Sequence, residues 1–299
     1  MPPALRSGDR VGVAALSGPV ATERLEAGLA ALEQLGFEPV PAANLGARRG
    51  LFAGSDADRL DAFHRLADDP TVRAILFARG GHGVLRLLPG IDWARLARIP
   101  RAYVGYSDLT PFLLEVVRRL GWIAFHGPMV AADLAAGLDV ADREALLGAL
   151  RGEPVSEVGL GGALGRGTVR GPLLGGCLSL LAASLGTPWS ARLDGALVAI
   201  EEVGEPFYRI DRMLTHLRLS GSLAAVRGIL IGSMSGTEAT ALEPARVAEL
   251  ASELAPGVPV AWGLPIGHGG RNLTLPLGAP ARFDAAALRL RLELPGPAR

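Results

Sequence analysis

Residues 103–121 read YVGYSDLTPFLLEVVRRLG, a short apolar run that passes through a Gly-Tyr-Ser-Asp turn into a segment with one apolar helical face. Outward from this stretch, AILFA at 74–78 and VGVAAL at 11–16 are further strand-like runs, and residues 20–36 and 56–68 have helical spacing. Strands that alternate with helices predict a parallel α/β sheet with helices on both faces. In such sheets, functional side chains gather at the carboxyl ends of the strands.

A change of character near the middle of the chain predicts two domains. A polar helical segment at 141–152 gives way to the glycine-rich EVGLGGALGRGTVRG at 157–171. We therefore predict an N-terminal parallel-sheet α/β domain over residues 1–150, a linker over 151–170 and a smaller, barrel-like C-terminal α/β domain over 171–299.

The charge composition limits the chemistry that the chain can perform. Its 299 residues include 30 basic and 30 acidic side chains, and every basic residue is an arginine. A net charge of zero argues against a nucleic-acid partner, because phosphate binding needs a basic face. Without lysine there is no P-loop lysine, Schiff base or Ser-Lys pair, and arginine is unsuited to general-base work. We expect any base to be His, Asp or Glu.

The cysteine and histidine content argues against a bound metal. Cys177 is the single cysteine, and the five histidines show no metal-ligand spacing. The first residues lack the apolar core of a signal peptide, and no run of 18 apolar residues follows. We expect a cytoplasmic protein with no membrane partner.

The strongest local signal is Ser107, which lies between an apolar strand and a helix. A serine at such a junction is typical of a nucleophile elbow, although the segment is not GxSxG and a Ser-Asp pair that opens a helix is often only an N-cap. The preceding strand ends in Arg79-Gly80-Gly81-His82-Gly83. Backbone amides of this turn, with the amide of Asp108, could bind an oxyanion, and the alternative is a turn that only requires positive φ.

Two further candidates follow strands of the second half. Glu201 ends a buried strand, and His268 lies in the glycine-rich PIGHGG at 265–270. Such side chains can form the orienting acid and the base that a serine nucleophile needs, whereas either one alone is more often structural. Glu202 should point to the opposite face of its strand.

Together these segments resemble the LD-carboxypeptidase family of serine peptidases. The resemblance covers nearly the whole chain through six ordered motifs: GDRVGVAALSGP, RGGHGVLRLLPGIDW, VGYSDLT, GPLLGGCLSLLAASLGTP, LVAIEEVGEPFYRIDRML and GLPIGHGGRNLTLPLG. It implies that Ser107 is the nucleophile, Glu201 the residue that orients the histidine, and His268 the general base. The first domain would carry the serine and the second the other two.

The resemblance also implies an activity. The expected reaction is hydrolysis of an L,D-peptide bond that releases a terminal D-alanine from murein tetrapeptide in cell-wall recycling, with no cofactor, by a homodimer. The substrate carboxylate would be held by an arginine, and Arg79 and Arg212 adjoin the motifs. Two alternatives stay open: a microcin-immunity-type amidase that cleaves aminoacyl-nucleotide analogues, and a non-catalytic two-domain binding protein.

Two positions depart from the family pattern. Cys177 stands where the family usually has Asn, and His82 stands where Tyr is common. No flanking residue would lower the pKa of Cys177, and an apolar helix follows it. We therefore predict a buried structural thiol rather than a nucleophile.

Overall fold

The computed structural model describes residues 2–235 and 243–293. The chain forms two compact units. The described residues of the first lie within 1–154 and 273–276, and those of the second within 155–272 and 277–293. The fold is thus a two-domain α/β structure, as the alternating pattern and the change of character near the middle of the chain predicted.

The strands and helices are numbered in chain order. The strands are β1 (Arg10–Ala14), β2 (Glu38–Pro41), β3 (Val72–Phe77), β4 (Ala102–Gly105), β5 (Ala124–His126), β6 (Glu157–Gly159), β7 (Gly162–Leu164), β8 (Thr168–Cys177), β9 (Leu197–Val203), β10 (Gly228–Ser235), β11 (Val260–Trp262), β12 (Leu275–Leu277), β13 (Pro280–Asp284) and β14 (Arg289–Leu292). The α-helices are α1 (Thr22–Gln34), α2 (Asp56–Asp68), α3 (Val84–Leu87), α4 (Trp93–Leu96), α5 (Thr110–Glu115), α6 (Val140–Leu150), α7 (Leu178–Ala183), α8 (Phe207–Leu219) and α9 (Pro244–Leu254).

The described part of the first unit is built on a six-stranded sheet in the order β12-β5-β4-β3-β1-β2. Strands β1 to β5 pair in parallel, so their carboxyl ends share one edge of the sheet. A buried aromatic cluster packs α2 and α5 on the sheet: the ring of Phe112 meets those of Phe77 and Tyr103 edge to face at 5.3 Å, and Phe63 at 5.5 Å. This core fixes the positions at which β3 and β4 end.

The helical segment predicted after the Gly-Tyr-Ser-Asp turn has three parts. A 3-10 turn over Ser107–Leu109 leads into α5, and a wider π-helical turn over Val116–Leu120 follows. Gly121 ends the segment at φ +66°, the left-handed conformation that terminates many helices. The tight first turn sets the direction in which the chain leaves β4.

The described part of the second unit contains an eight-stranded sheet in the order β6-β14-β13-β8-β9-β10-β11-β7. Its central strands β8, β9, β10 and β11 are parallel, and the outer ones are antiparallel. The segment 151–170, predicted to be a linker, instead supplies β6, β7 and the start of β8. Its glycines allow tight turns between short strands, and β6 and β7 end the sheet on opposite sides.

In the part of the chain that the structure describes, no helix has both the length and the apolar character to cross a bilayer.

Candidate active site

Ser107 has a strained backbone at the carboxyl end of β4. Tyr106 is extended at φ −155°, and Ser107 turns into the left-handed region at φ +60°. Among the described residues other than glycine, only Ser107 and Leu288 have positive φ. This conformation costs a non-glycine residue about 1–2 kcal/mol. A strained serine on a sharp turn from strand to helix is the geometry of a nucleophile elbow.

The turn Arg79–Gly83 lies directly against Ser107, because β3 and β4 are adjacent parallel strands that end at the same edge. A Cβ atom at Gly80 would come within 2.9 Å of Ser107 Cβ and 3.0 Å of Ser107 Oγ, so this position has room only for glycine. Gly81 and Gly83 have φ of +122° and +125°. The predicted oxyanion turn and the predicted nucleophile are therefore in contact.

Hydrogen bonds hold the turn at both ends. The carbonyl of Gly80 accepts from the amide of Gly18 at 3.3 Å and from Nε of Arg79 at 3.2 Å. At the other end, Oδ2 of Asp108 accepts from the amide of Val84 at 3.0 Å. Asp108 was predicted for its backbone amide, and sequence reasoning missed this role of its side chain, which is 2% exposed.

In the second unit, Glu201 and His268 meet. Oε2 of Glu201 lies 2.7 Å from Nδ1 of His268; Glu201 is fully buried, and the His268 side chain is 20% exposed. A buried carboxylate at this distance favours the tautomer with hydrogen on Nδ1, which leaves Nε2 as the basic nitrogen.

An irregularity in β10 allows this contact. The pairing of β10 with β9 shifts between Ile231 and Met234, beside Glu201. The loop after β11 forms hydrogen bonds with this irregular part of β10. The amide of Leu264 donates to the carbonyl of Ile231, and the amide of Ser233 donates to the carbonyl of Ile266. These bonds draw the loop that carries His268 across the end of β10 toward β9.

Two residues of the histidine loop support the pair. Gly267 has φ +102°, and a Cβ there would lie 2.6 Å from Oε2 of Glu201. Its amide donates to Oδ1 of the buried Asn272 at 3.1 Å. Sequence reasoning did not single out Asn272, although RNL directly follows the PIGHGG motif.

Glu202 and Cys177 form a second buried cluster. The carboxylate of Glu202 accepts from the amides of Ser179 at 2.6 Å and Val203 at 2.9 Å, and Sγ of Cys177 lies 3.6 Å from it. Burial raises the pKa of Glu202. Burial and the charges of Glu201 and Glu202 also raise the pKa of the Cys177 thiol. The prediction that Cys177 is a buried thiol is confirmed, and its low reactivity remains a prediction.

The remaining candidates have different surroundings. Arg79 donates to the carbonyls of Gly80 and Pro19. Arg212 is exposed on α8, with its guanidinium carbon 5.4 Å from the ring centroid of Tyr208. His82 packs against Phe52 at 5.7 Å between ring centroids.

The predicted site residues thus fall into two sets. Ser107, Asp108, Gly81 and Arg79 belong to the first unit, and Glu201, His268 and Arg212 belong to the second.

Comparisons with known proteins match both units. The LD-carboxypeptidase N-terminal domain model matches residues 11–127, and the C-terminal domain model matches residues 170–283. The murein tetrapeptide carboxypeptidase of Pseudomonas aeruginosa is 35% identical over 297 residues, which cover 94% of each chain. The chain belongs to the LD-carboxypeptidase family. The resemblance found in the sequence is confirmed, and with it the general class of carboxypeptidases.

Solved structures of family members have the same fold. The crystal structure of muramoyltetrapeptide carboxypeptidase from Oxalobacter formigenes is 28% identical, with a TM-score of 0.83 over 95% of this chain and 97% of that one. The microcin C7 self-immunity protein in its wild-type apo state is 22% identical, with a TM-score of 0.90 over the full length of both chains. At that identity, the second likeness concerns the fold alone.

Proposed function

We propose that this family member is a serine carboxypeptidase that hydrolyses an L,D-peptide bond and releases the terminal D-alanine of a murein tetrapeptide. Oγ of Ser107 attacks the scissile carbonyl, and Nε2 of His268 takes its proton and passes it to the leaving amine. Water then hydrolyses the acyl-enzyme by the same groups in reverse roles. Family membership and the murein peptide named for the Pseudomonas relative support this substrate class.

The observation that carries the proposal is the left-handed backbone of Ser107. An N-cap serine has extended backbone and does not need this conformation. The strained turn raises the side chain above the end of the sheet and leads directly into a 3-10 turn. Strain of this kind persists where function requires it, which favours the nucleophile over the cap.

The hydrogen bond between Glu201 and His268 supports the assignment of the base. A fully buried carboxylate both orients the imidazole and stabilises the imidazolium that forms as Ser107 loses its proton. The amides of Gly81 and Asp108 would receive the negative charge that develops on the carbonyl oxygen. Arg79 and Arg212 are the proposed ligands of the substrate carboxylate.

Product analysis by mass spectrometry tests the proposal. Murein tetrapeptide should lose one alanine, whereas an aminoacyl-sulfamoyl adenosine should stay intact; loss of the nucleoside would instead establish the microcin-immunity type of amidase.

Ser107→Ala should lower turnover on the order of a million-fold without unfolding the protein. A folded Ser107→Ala variant with unchanged hydrolysis would remove the serine from the mechanism.

The homodimer and the cytoplasmic location are also proposals. Light scattering on the purified protein should give twice the mass of one chain, and cell fractionation should recover the activity with cytoplasmic markers. A monomer, or activity in the periplasmic or membrane fraction, would contradict them.

A further inference from the structure

The peptide group between Gly80 and Gly81 has a fixed orientation. Two donors, the amide of Gly18 and Nε of Arg79, hold the Gly80 carbonyl. In a trans peptide the carbonyl and the following N–H point in opposite directions. The N–H of Gly81 is therefore directed away from Gly18 as long as these two bonds hold the peptide plane.

A side chain also holds the far end of the same turn. Gly83 has φ +125° and leads into α3, a helix of one turn whose first amide belongs to Val84. That amide donates to Oδ2 of Asp108, at 3.0 Å. Asp108, which follows the proposed nucleophile, therefore binds Val84, which follows the proposed oxyanion turn.

We propose that the Asp108 carboxylate is a positioning residue, which holds the Arg79–Gly83 turn so that the Gly81 amide faces the oxyanion. The inference rests on the proposed function of Ser107. Oxyanion donors act because they are oriented before charge develops. Gly80 and Gly81 have glycine's wide conformational freedom, so the turn depends on anchors outside itself for this orientation. At 2% exposure, the bond between Asp108 and Val84 is sheltered from competing water.

Comparison of Asp108→Ala with Asp108→Asn tests the role. The alanine variant loses the acceptor, and we expect kcat to fall on the order of a hundredfold, with KM changed less than threefold. Its affinity for a peptidyl boronate, which forms a tetrahedral adduct with serine, should fall in parallel with kcat/KM. Asparagine keeps an oxygen for the Val84 amide and should restore at least a tenth of the wild-type kcat. If Asp108→Ala does not fold, Asp108→Ser carries the same test, since its hydroxyl is too short to reach Val84.

Asp92→Ala is the matched control. Its carboxylate accepts from the amide of Arg95 and caps α4, which like α3 is a helix of four residues. The control should keep the wild-type kcat. If Ser107→Ala is inactive, two outcomes would overturn the inference. One is an equal loss of kcat in Asp108→Asn and Asp108→Ala, and the other is a kcat for Asp108→Ala within threefold of wild type. Activity in Ser107→Ala would refute the proposed function instead.

Discussion

The carboxylate of Glu201 lies 2.7 Å from Nδ1 of His268, at the end of a side chain that has no contact with solvent. Its other oxygen, Oε1, is buried and has no hydrogen-bond partner among the residues that the structure describes. A carboxylate in such surroundings depends strongly on the donor that binds it. The hydrogen bond that stabilises the buried Glu201 carboxylate is therefore the same one that orients the ring of His268.

Replacement of the Glu201 carboxylate by an amide of the same size should impair catalysis and leave the fold intact. We expect Glu201→Gln to lower kcat roughly a thousandfold or more, because an amide neither selects the Nδ1–H tautomer nor stabilises the imidazolium. The control is Glu202→Gln, the same change at the neighbouring buried position, where glutamine keeps an acceptor oxygen for one of the two backbone amides that the carboxylate binds, and the loss of the other should lower stability rather than disturb His268. Steady-state kinetics should separate the two variants, and equal losses would contradict the role of Glu201.

Ser107→Gly should separate stability from activity. Glycine adopts φ +60° without strain, so this variant should be about as stable as wild type or up to about 1 kcal/mol more stable, after its greater freedom in the unfolded state is included. Ser107→Ala keeps the strain and should be less stable than the glycine variant. Both should be inactive. Urea unfolding measures the difference, and a glycine variant less stable than the alanine variant would argue against backbone strain.

Gly267 and Gly270 offer a test of the packing behind His268. Both have positive φ, at +102° and +88°, but a Cβ at Gly267 meets Glu201, whereas a Cβ at Gly270 has no atom within 4 Å. Alanine costs similar backbone strain at either position, and only at 267 does it also displace the carboxylate. We expect Gly267→Ala to lower kcat at least tenfold more than Gly270→Ala. Similar kinetics for the two variants would show that steric contact with Glu201 has little effect on catalysis.

Local patterns predicted more of the fold than of the contacts within it. Ser107 and His268 stand out because each lies beside glycines where a strand ends, which is a feature of adjacent residues. The bond from Val84 to Asp108 joins positions 24 apart, and the approach of His268 to Glu201 depends on the irregular pairing of β10. Strand β6 pairs with β14, more than 100 residues away. A partner so distant cannot be inferred from the local sequence, and the glycine-rich residues around β6 therefore indicated a linker.

Cys177 should be dispensable and slow to react. It is 2% exposed, and burial together with the nearby carboxylates raises the pKa of its thiol. Thiolate is the reactive form, so native protein should react with iodoacetamide far more slowly than unfolded protein. Cys177→Ala should retain most of the activity. Complete inactivation of a folded Cys177→Ala variant would reverse the assignment of the nucleophile.

The final prediction concerns how the enzyme restricts cleavage to the end of a peptide. A terminal carboxylate must be held near the scissile bond, and in a chain without lysine the side-chain cation that can hold it is arginine or, less favourably, a protonated histidine. Arg79 already donates to the carbonyls of Gly80 and Pro19, so its loss should also disturb the turn beside Ser107.

Arg79→Ala should therefore lower kcat on a peptide acid and on the matching peptide amide alike. Arg212 is exposed on α8 and packs over Tyr208, so it can bind substrate without a change in the backbone of the site. We expect Arg212→Ala to lower kcat/KM for the acid roughly tenfold to a hundredfold more than for the amide, as loss of one charge-assisted hydrogen bond predicts. Arg218→Ala, an exposed arginine on the last turn of the same helix, is the control and should affect neither substrate. Equal losses on acid and amide in both Arg79→Ala and Arg212→Ala would exclude these two arginines as the carboxylate site and leave backbone amides or another arginine to fill that role.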